Sequence, residues 1–163
     1  MSTEDRISVL LIDSNDTDRN YYADRLKQNS SEYVVHLAAT GQDGLETYQA
    51  RPIDCVVLEL DLADMSGFEV LVRLVPVARN PKVAVVILTR LANFYLKDLV
   101  MTNGAVACLL KNGTTGDTLN QTIRRAISAV TRDRKNAQHD SNLNRPSPSS
   151  AFQAHLTRAS KEG

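Results

Sequence analysis

The chain has 163 residues, about one domain when a domain is taken as roughly 150. With 42 % hydrophobic and 23 % charged residues it can bury a core and is not a disordered polyampholyte. Its 19 Lys and Arg balance 19 Asp and Glu, which argues against direct nucleic-acid binding through bulk positive charge. Apolar runs such as Val83–Leu88 fall far short of the roughly 20 residues that a membrane helix needs, so no membrane partner is expected.

In chain order, the polar start Met1–Arg6 carries no signal-peptide core, and a cytoplasmic location is expected. Ile7–Ile12 is a nearly continuous apolar run that ends in Asp13, Ser14, Asn15 and Asp16. A helix is predicted over Asp16–Gln28, with Tyr22 and Leu26 on one face. A second extended run, Tyr33–Ala39, precedes a helix over Gln42–Ala50 that turns Leu45 and Tyr48 inward. Ile53–Leu58 is the third strand, followed by Glu59, Leu60 and Asp61. The next helix is predicted over Gly67–Ala78, with Phe68, Leu71, Leu74 and Val75 as its stripe. Val83–Leu88 runs into Thr89 and Arg90. A helix over Ala92–Thr102 stops at Asn103-Gly104. Ala105–Leu110 is the fifth strand and leads to Lys111. The last helix is predicted over Thr115–Thr131, with Leu119, Ile123, Ala126, Ile127 and Val130 on one face.

Strands apolar on both faces, alternating with helices, specify an α/β fold: a five-stranded parallel sheet, doubly wound. Cys55 and Cys108 each sit inside an apolar run and read as reduced core thiols. His36, His139 and His155 are the only histidines that could join them, and their spacing gives no zinc ligand pair. Residues 1–130 hold 13 Lys and Arg against 16 Asp and Glu, a net charge of −3; residues 131–163 hold 6 against 3, a net of +3. The domain is therefore placed at 5–132, with 133–163 as a polar, flexible tail or linker. Within that tail, Asn144–Ser150 reads as linker, and Phe152 and Leu156 could share a helix face.

In such sheets, sites lie beyond the carboxyl ends of the strands. Here those ends carry Asp13, Glu59, Asp61, Thr89 and Lys111. Acids, a hydroxyl and an ammonium on one rim suit a phosphoryl group with a divalent cation, and equally an ion-pair network.

At this point the chain resembles a response-regulator receiver domain, the phosphorylatable module of two-component signalling. The resemblance runs from Ile7 to Val130 through VLLIDSNDTDR (9–19), DCVVLELDLADMSGFEVL (54–71), VAVVILTR (83–90) and NGAVACLLKNG (103–113). It implies a flavodoxin-like (βα)5 receiver fold. In the family two adjacent acids at the first strand end hold Mg²⁺; Asp13 matches the first, and Ser14 replaces the second. The phosphoacceptor aspartate lies eight residues before the Gly of the Met-x-Gly turn, which is Gly67 here, so Glu59 stands at the acceptor position. Thr89 matches the switch hydroxyl and Lys111 the phosphate-sensing lysine, while Cys108 stands where the family has its aromatic rotamer switch. Asn112 and Ala63 replace two prolines, and Arg90 replaces a small residue at the mouth of the site.

The resemblance thus implies a weakened or absent Mg²⁺ site at Asp13, Glu59 and Asp61, and no other cofactor. One extra methylene misplaces the Glu59 oxygen by about 1 Å, which can cost on the order of 10²-fold in rate. The expectation is a degenerate, non-enzymatic pseudo-receiver: a regulatory interaction module in which Glu59 reaches toward Lys111 and Thr89. The implied partners are a histidine kinase, a phosphotransfer protein or an output domain, with a homodimer through the fourth helix, fifth strand and fifth helix. Basic residues of the last helix, Arg124, Arg125, Arg132, Arg134 and Lys135, suit such a surface or complement the helix dipole. Two alternatives stand beside it. One is a working receiver phosphorylated by a histidine kinase at Glu59 or Asp61, the latter expected on the same side of the strand as Glu59. The other is a flavodoxin-like small-ligand domain using the Gly/Thr loop Asn112–Thr118, which lacks a P-loop ending.

Overall fold

Val, Ile and Leu fill both faces of the three inner extended segments, which are buried above and below, while the two edge segments are only partly covered. The computed structural model describes residues 6–144. Strands β1 (Ile7–Ile12), β2 (Tyr33–Ala38), β3 (Cys55–Leu58), β4 (Ala84–Thr89) and β5 (Ala107–Leu110) form one parallel sheet in the order β2-β1-β3-β4-β5. Helices α1 (Asp16–Asn29), α2 (Gly41–Ala50), α3 (Gly67–Leu74), α4 (Phe94–Thr102) and α5 (Gly116–Leu143) make the crossovers. This is the doubly wound, flavodoxin-like architecture expected from the sequence.

The two-residue period of the strands sorts the core. Leu10, Ile12, Val56, Leu58, Val85 and Ile87 pack with Leu45 of α2, Val70, Leu71 and Leu74 of α3 and Val100 of α4. Their neighbours Val9, Leu11, Val57, Val86 and Leu88 face the other way, onto Tyr22 and Leu26 of α1 and Leu119, Ile123, Ala126 and Val130 of α5. Each fully buried Leu or Ile here contributes about 1.5–3 kcal/mol. Cys55 is buried and free, and Cys108 is partly buried and free.

Several element ends differ from expectation. Helix α3 stops at Leu74, not Ala78, because Val75 precedes Pro76 and the proline ring excludes the helical conformation from its predecessor. Ile53–Asp54 and Ala105–Val106 lie ahead of the ladders of β3 and β5; Asp54 N and Val106 N reach only single carbonyls, of Ser8 and Val85. The largest difference is α5, which continues past Thr131 to Leu143 through residues assigned above to a flexible tail. No Gly or Pro interrupts that stretch, and every side chain in it is exposed. The chain divides into two units, Met1–Thr131 and Arg132–Gly163. Apart from Asn144, the expected linker and the Phe152–Leu156 pair lie outside the described residues.

Candidate functional site

The connections leaving β1 and β3 run to opposite faces of the sheet, which opens a crevice at the carboxyl ends of these strands. Asp13, immediately after β1, is 4 % exposed; its backbone N–H donates to Ala38 O at 3.0 Å, carrying on the β1–β2 ladder. Glu59, immediately after β3, is also 4 % exposed and is held by its N–H to Ile12 O at 3.0 Å. Thr89 closes β4 at 1 % exposure, and the Lys111 N–H donates to Thr89 O at 2.9 Å just past β5. Gly67, at the start of α3, is required here. A β-carbon on it would lie 2.2 Å from Glu59 O and 2.6 Å from Leu60 Cα, so only glycine lets α3 begin against the acid-bearing segment.

Lys111 is the hub. Its ammonium donates to Asp13 Oδ2 at 2.6 Å and Asp18 Oδ2 at 2.9 Å, and lies 2.9 Å from Glu59 Oε2. An ammonium has three protons, and three carboxylates take them. Burial alone would lower the Lys111 pKa, but the bonds to Asp13, Asp18 and Glu59 together outweigh it and hold the ammonium above the ordinary lysine range.

The other oxygen of Glu59 is equally occupied. Oε1 accepts from Leu60 N at 2.7 Å, from Asp61 N at 3.1 Å and from the Thr89 hydroxyl. Thr89 Oγ1 in turn accepts from Leu91 N at 3.2 Å, which ties the start of the β4–α4 loop to the carboxylate. Asp13 Oδ1 accepts from Asn15 N at 2.9 Å, and Arg19 Nη1 donates to Asp13 O at 2.7 Å.

Ser14 faces away from the ammonium. Its hydroxyl donates to Ala39 O at 2.8 Å and accepts from Ala63 N at 2.9 Å, joining the β2–α2 and β3–α3 connections. Asp64 makes a parallel tie: its carboxylate accepts from Gly41 N at 2.8 Å and Gln42 N at 3.0 Å, and these bonds hold its pKa below the usual range. Among the described residues every buried side-chain nitrogen and oxygen has a partner, and no three His, Cys, Asp or Glu side chains form a metal-binding group.

The structure therefore brings together Asp13, Glu59, Thr89 and Lys111 but not Asp61. Strand alternation places Asp61 beside Glu59, yet β3 ends at Leu58, and Asp61 instead forms an isolated antiparallel bridge with Ser66 and is exposed. Cys108 sits away from the carboxylates, lining a cavity of about 610 Å³ with Thr89, Leu91, Phe94, Lys97 and Leu110. Burial pushes its thiol pKa up. The Asn112–Thr118 loop closes on α5, where Thr115 Oγ1 accepts from Thr118 N at 3.2 Å as a helix cap.

Asp18 was missed from sequence. An acid in the first turn of a helix reads as dipole compensation, and nothing local reveals partners 72 and 93 residues away. Arg90 stands over it, with Nε to Oδ2 at 3.0 Å and Nη2 to Oδ1 at 2.8 Å. Burial would raise the Asp18 pKa, but the bonds to Lys111 and Arg90 and their charges bring it below the ordinary value.

A family model described as the response regulator receiver domain matches residues 9–124. Solved structures of this kind superpose on the chain. A CheY-like receiver domain protein from Methanospirillum hungatei JF-1 gives a TM-score of 0.68 at 20 % identity, covering 78 % of this chain and 98 % of that one. A receiver domain protein from Clostridium thermocellum gives 0.66 at 26 %, covering 76 % and 95 %. The chemotaxis response regulator CheY4 of Vibrio cholerae gives 0.65 at 23 %, covering 74 % and 98 %. No curated protein matches the chain.

Proposed function

Since the chain belongs to the response regulator receiver family of two-component signalling, we propose that it is a pseudo-receiver: a non-enzymatic interaction module whose pocket keeps one state without phosphorylation. The observation that carries this reading is the occupancy of Glu59. A phosphoacceptor must direct a free carboxylate lone pair in line at phosphorus. Here Oε1 holds three donors and Oε2 holds the Lys111 ammonium. The glutamate reaches, with its extra methylene, onto the hydroxyl and ammonium that would otherwise hold phosphoryl oxygens.

The donor set as arranged does not fit Mg²⁺. That ion needs near-octahedral oxygen ligands and binds through carboxylates and waters. Asp13 and Glu59 are committed to Lys111, the Ser14 oxygen is committed to two backbone groups, and Asp61 is exposed. The buried ammonium takes the charge-compensating part.

Partner recognition is assigned to the surface of α4, β5 and α5, where Phe94 is 77 % and Tyr95 81 % exposed beside exposed Leu91, Leu99 and Leu110. A second copy, an output domain or a kinase-side partner is the expected occupant. No helix of the described residues is long and apolar enough to cross a membrane.

The test is incubation with acetyl phosphate and Mg²⁺ followed by intact mass measurement. The expected spectrum is unchanged. A stable gain of one phosphoryl group in the wild type overturns the reading, and its loss in Asp61→Asn would place the acceptor at Asp61.

A further inference from the structure

The ion pairs at the site close into a ring that reaches the surface. Thr89 donates to Glu59, Glu59 is paired with Lys111, and Lys111 is paired with Asp18 on α1. Asp18 takes the guanidinium of Arg90 on both its oxygens, and Arg90 is the residue after Thr89. The ring thus begins and ends on the same peptide, at the root of the β4–α4 connection. Its inner members are buried, while the Arg90 side chain is 65 % exposed and lies beside a cleft that also borders Asp18, Tyr21, Tyr22, Lys111 and Asn112.

We infer that Asp18 and Arg90 form an outer latch that holds the β4–α4 connection, and with it the start of α4, in a single position. The physical argument is one of constraint. Residues 90–93 lie outside any regular element, and their backbone makes few bonds to the body of the domain. Thr89 Oγ1 holds the near end through Leu91 N, and Asn93 caps α4 at the far end. Between them, Arg90 is the side chain that crosses to α1. Its planar fork fits a carboxylate at two points, a geometry that lysine cannot reproduce. Phe94 and Tyr95 follow directly, so the latch sets where the exposed aromatic pair stands. This inference rests on the fixed-pocket reading above, whose ion network it extends to the surface; Arg90 acts as a positioning residue and takes part in no chemistry.

Amide hydrogen exchange of the full chain, read by mass spectrometry on peptides spanning 89–102, tests the latch. Arg90→Ala should speed exchange over 90–97 by about fivefold, the scale of a well-formed partly exposed ion pair. Peptides from β1 and β3 should exchange as in the wild type. Arg90→Lys should fall between the two, because the charge stays and the fork is lost. Raising salt to about 1 M should speed the same segment in the wild type, which needs no variant to fold, and should leave Arg90→Ala unchanged. Superimposable exchange of wild type and Arg90→Ala over 90–97 overturns the latch, as does a change spread evenly over the chain. Phosphoryl gain from acetyl phosphate would count against the fixed pocket alone, whereas unchanged exchange would count against the latch alone.

Discussion

Glu59, Lys111 and Ser14 each do a different job at the site, and each can be separated by substitution. Lys111 is buried against three carboxylates, so Lys111→Ala leaves acids packed together without their counter-charge. A loss of about 3–5 kcal/mol in unfolding free energy is expected from urea denaturation. Glu59→Gln keeps the shape and an oxygen that accepts from Thr89, so its loss should be clearly smaller; equal small losses would indicate a solvated, uncoupled pair. Ser14→Ala removes one donor and one acceptor from the junction of two loops, at a cost of about 1–2 kcal/mol. Ser14→Asp should be worse than Ser14→Ala in thermal denaturation, because a carboxylate has no proton for the Ala39 carbonyl. The same contact explains why adding back the family's second acid would conflict with this loop arrangement.

At the scale of elements, the β3–α3 connection is fastened to α2 by Asp64, whose carboxylate caps two N–H groups at the helix start. Its pKa is depressed in the folded chain, so its stabilisation is complete above the usual aspartate range and is lost as pH falls through the depressed value. The melting temperature of Asp64→Ala should therefore lie below that of the wild type at neutral pH, and the gap should close in acid. A gap that persists unchanged into acid would assign the effect to packing instead. Gly67→Ala probes the neighbouring contact. A methyl group there meets backbone, which cannot rotate away, so α3 or the Glu59 segment must shift. We expect loss of stability together with altered amide shifts at Thr89 and Lys111.

For the molecule as a whole, α4 and the end of β5 keep apolar groups in solvent, while α1 and the Leu119–Val130 part of α5 cover the opposite face of the sheet. If this surface joins two copies, sedimentation should show an association that Phe94→Ser with Tyr95→Ser abolishes without lowering thermal stability, since neither side chain is in the core. Loss of association together with loss of folding would instead mean that the pair supports the domain. The five-stranded parallel sheet with helices on both faces was readable from sequence, because apolar runs and helical stripes are local patterns, whereas the strand order and the partition of particular helices between the faces came from the structure. The end of α3 at Val75-Pro76 was readable in principle and overlooked. The run of α5 to Leu143 was hidden by a polar composition that resembles a tail.

What the sequence determined by itself was the set of strand ends, and so the presence of Asp13, Glu59, Thr89 and Lys111 on one rim, since the hydrophobic period and the alternation of strands with helices depend on neighbours along the chain. What only the tertiary structure decided was how those groups share their protons and lone pairs. Asp18 joined the cluster, Asp61 left it, Ser14 turned to the backbone, and Arg90 crossed to α1. Each of these outcomes turns on ångström distances in the folded chain, and among the buried groups the low dielectric of the interior strengthens every bond that is made.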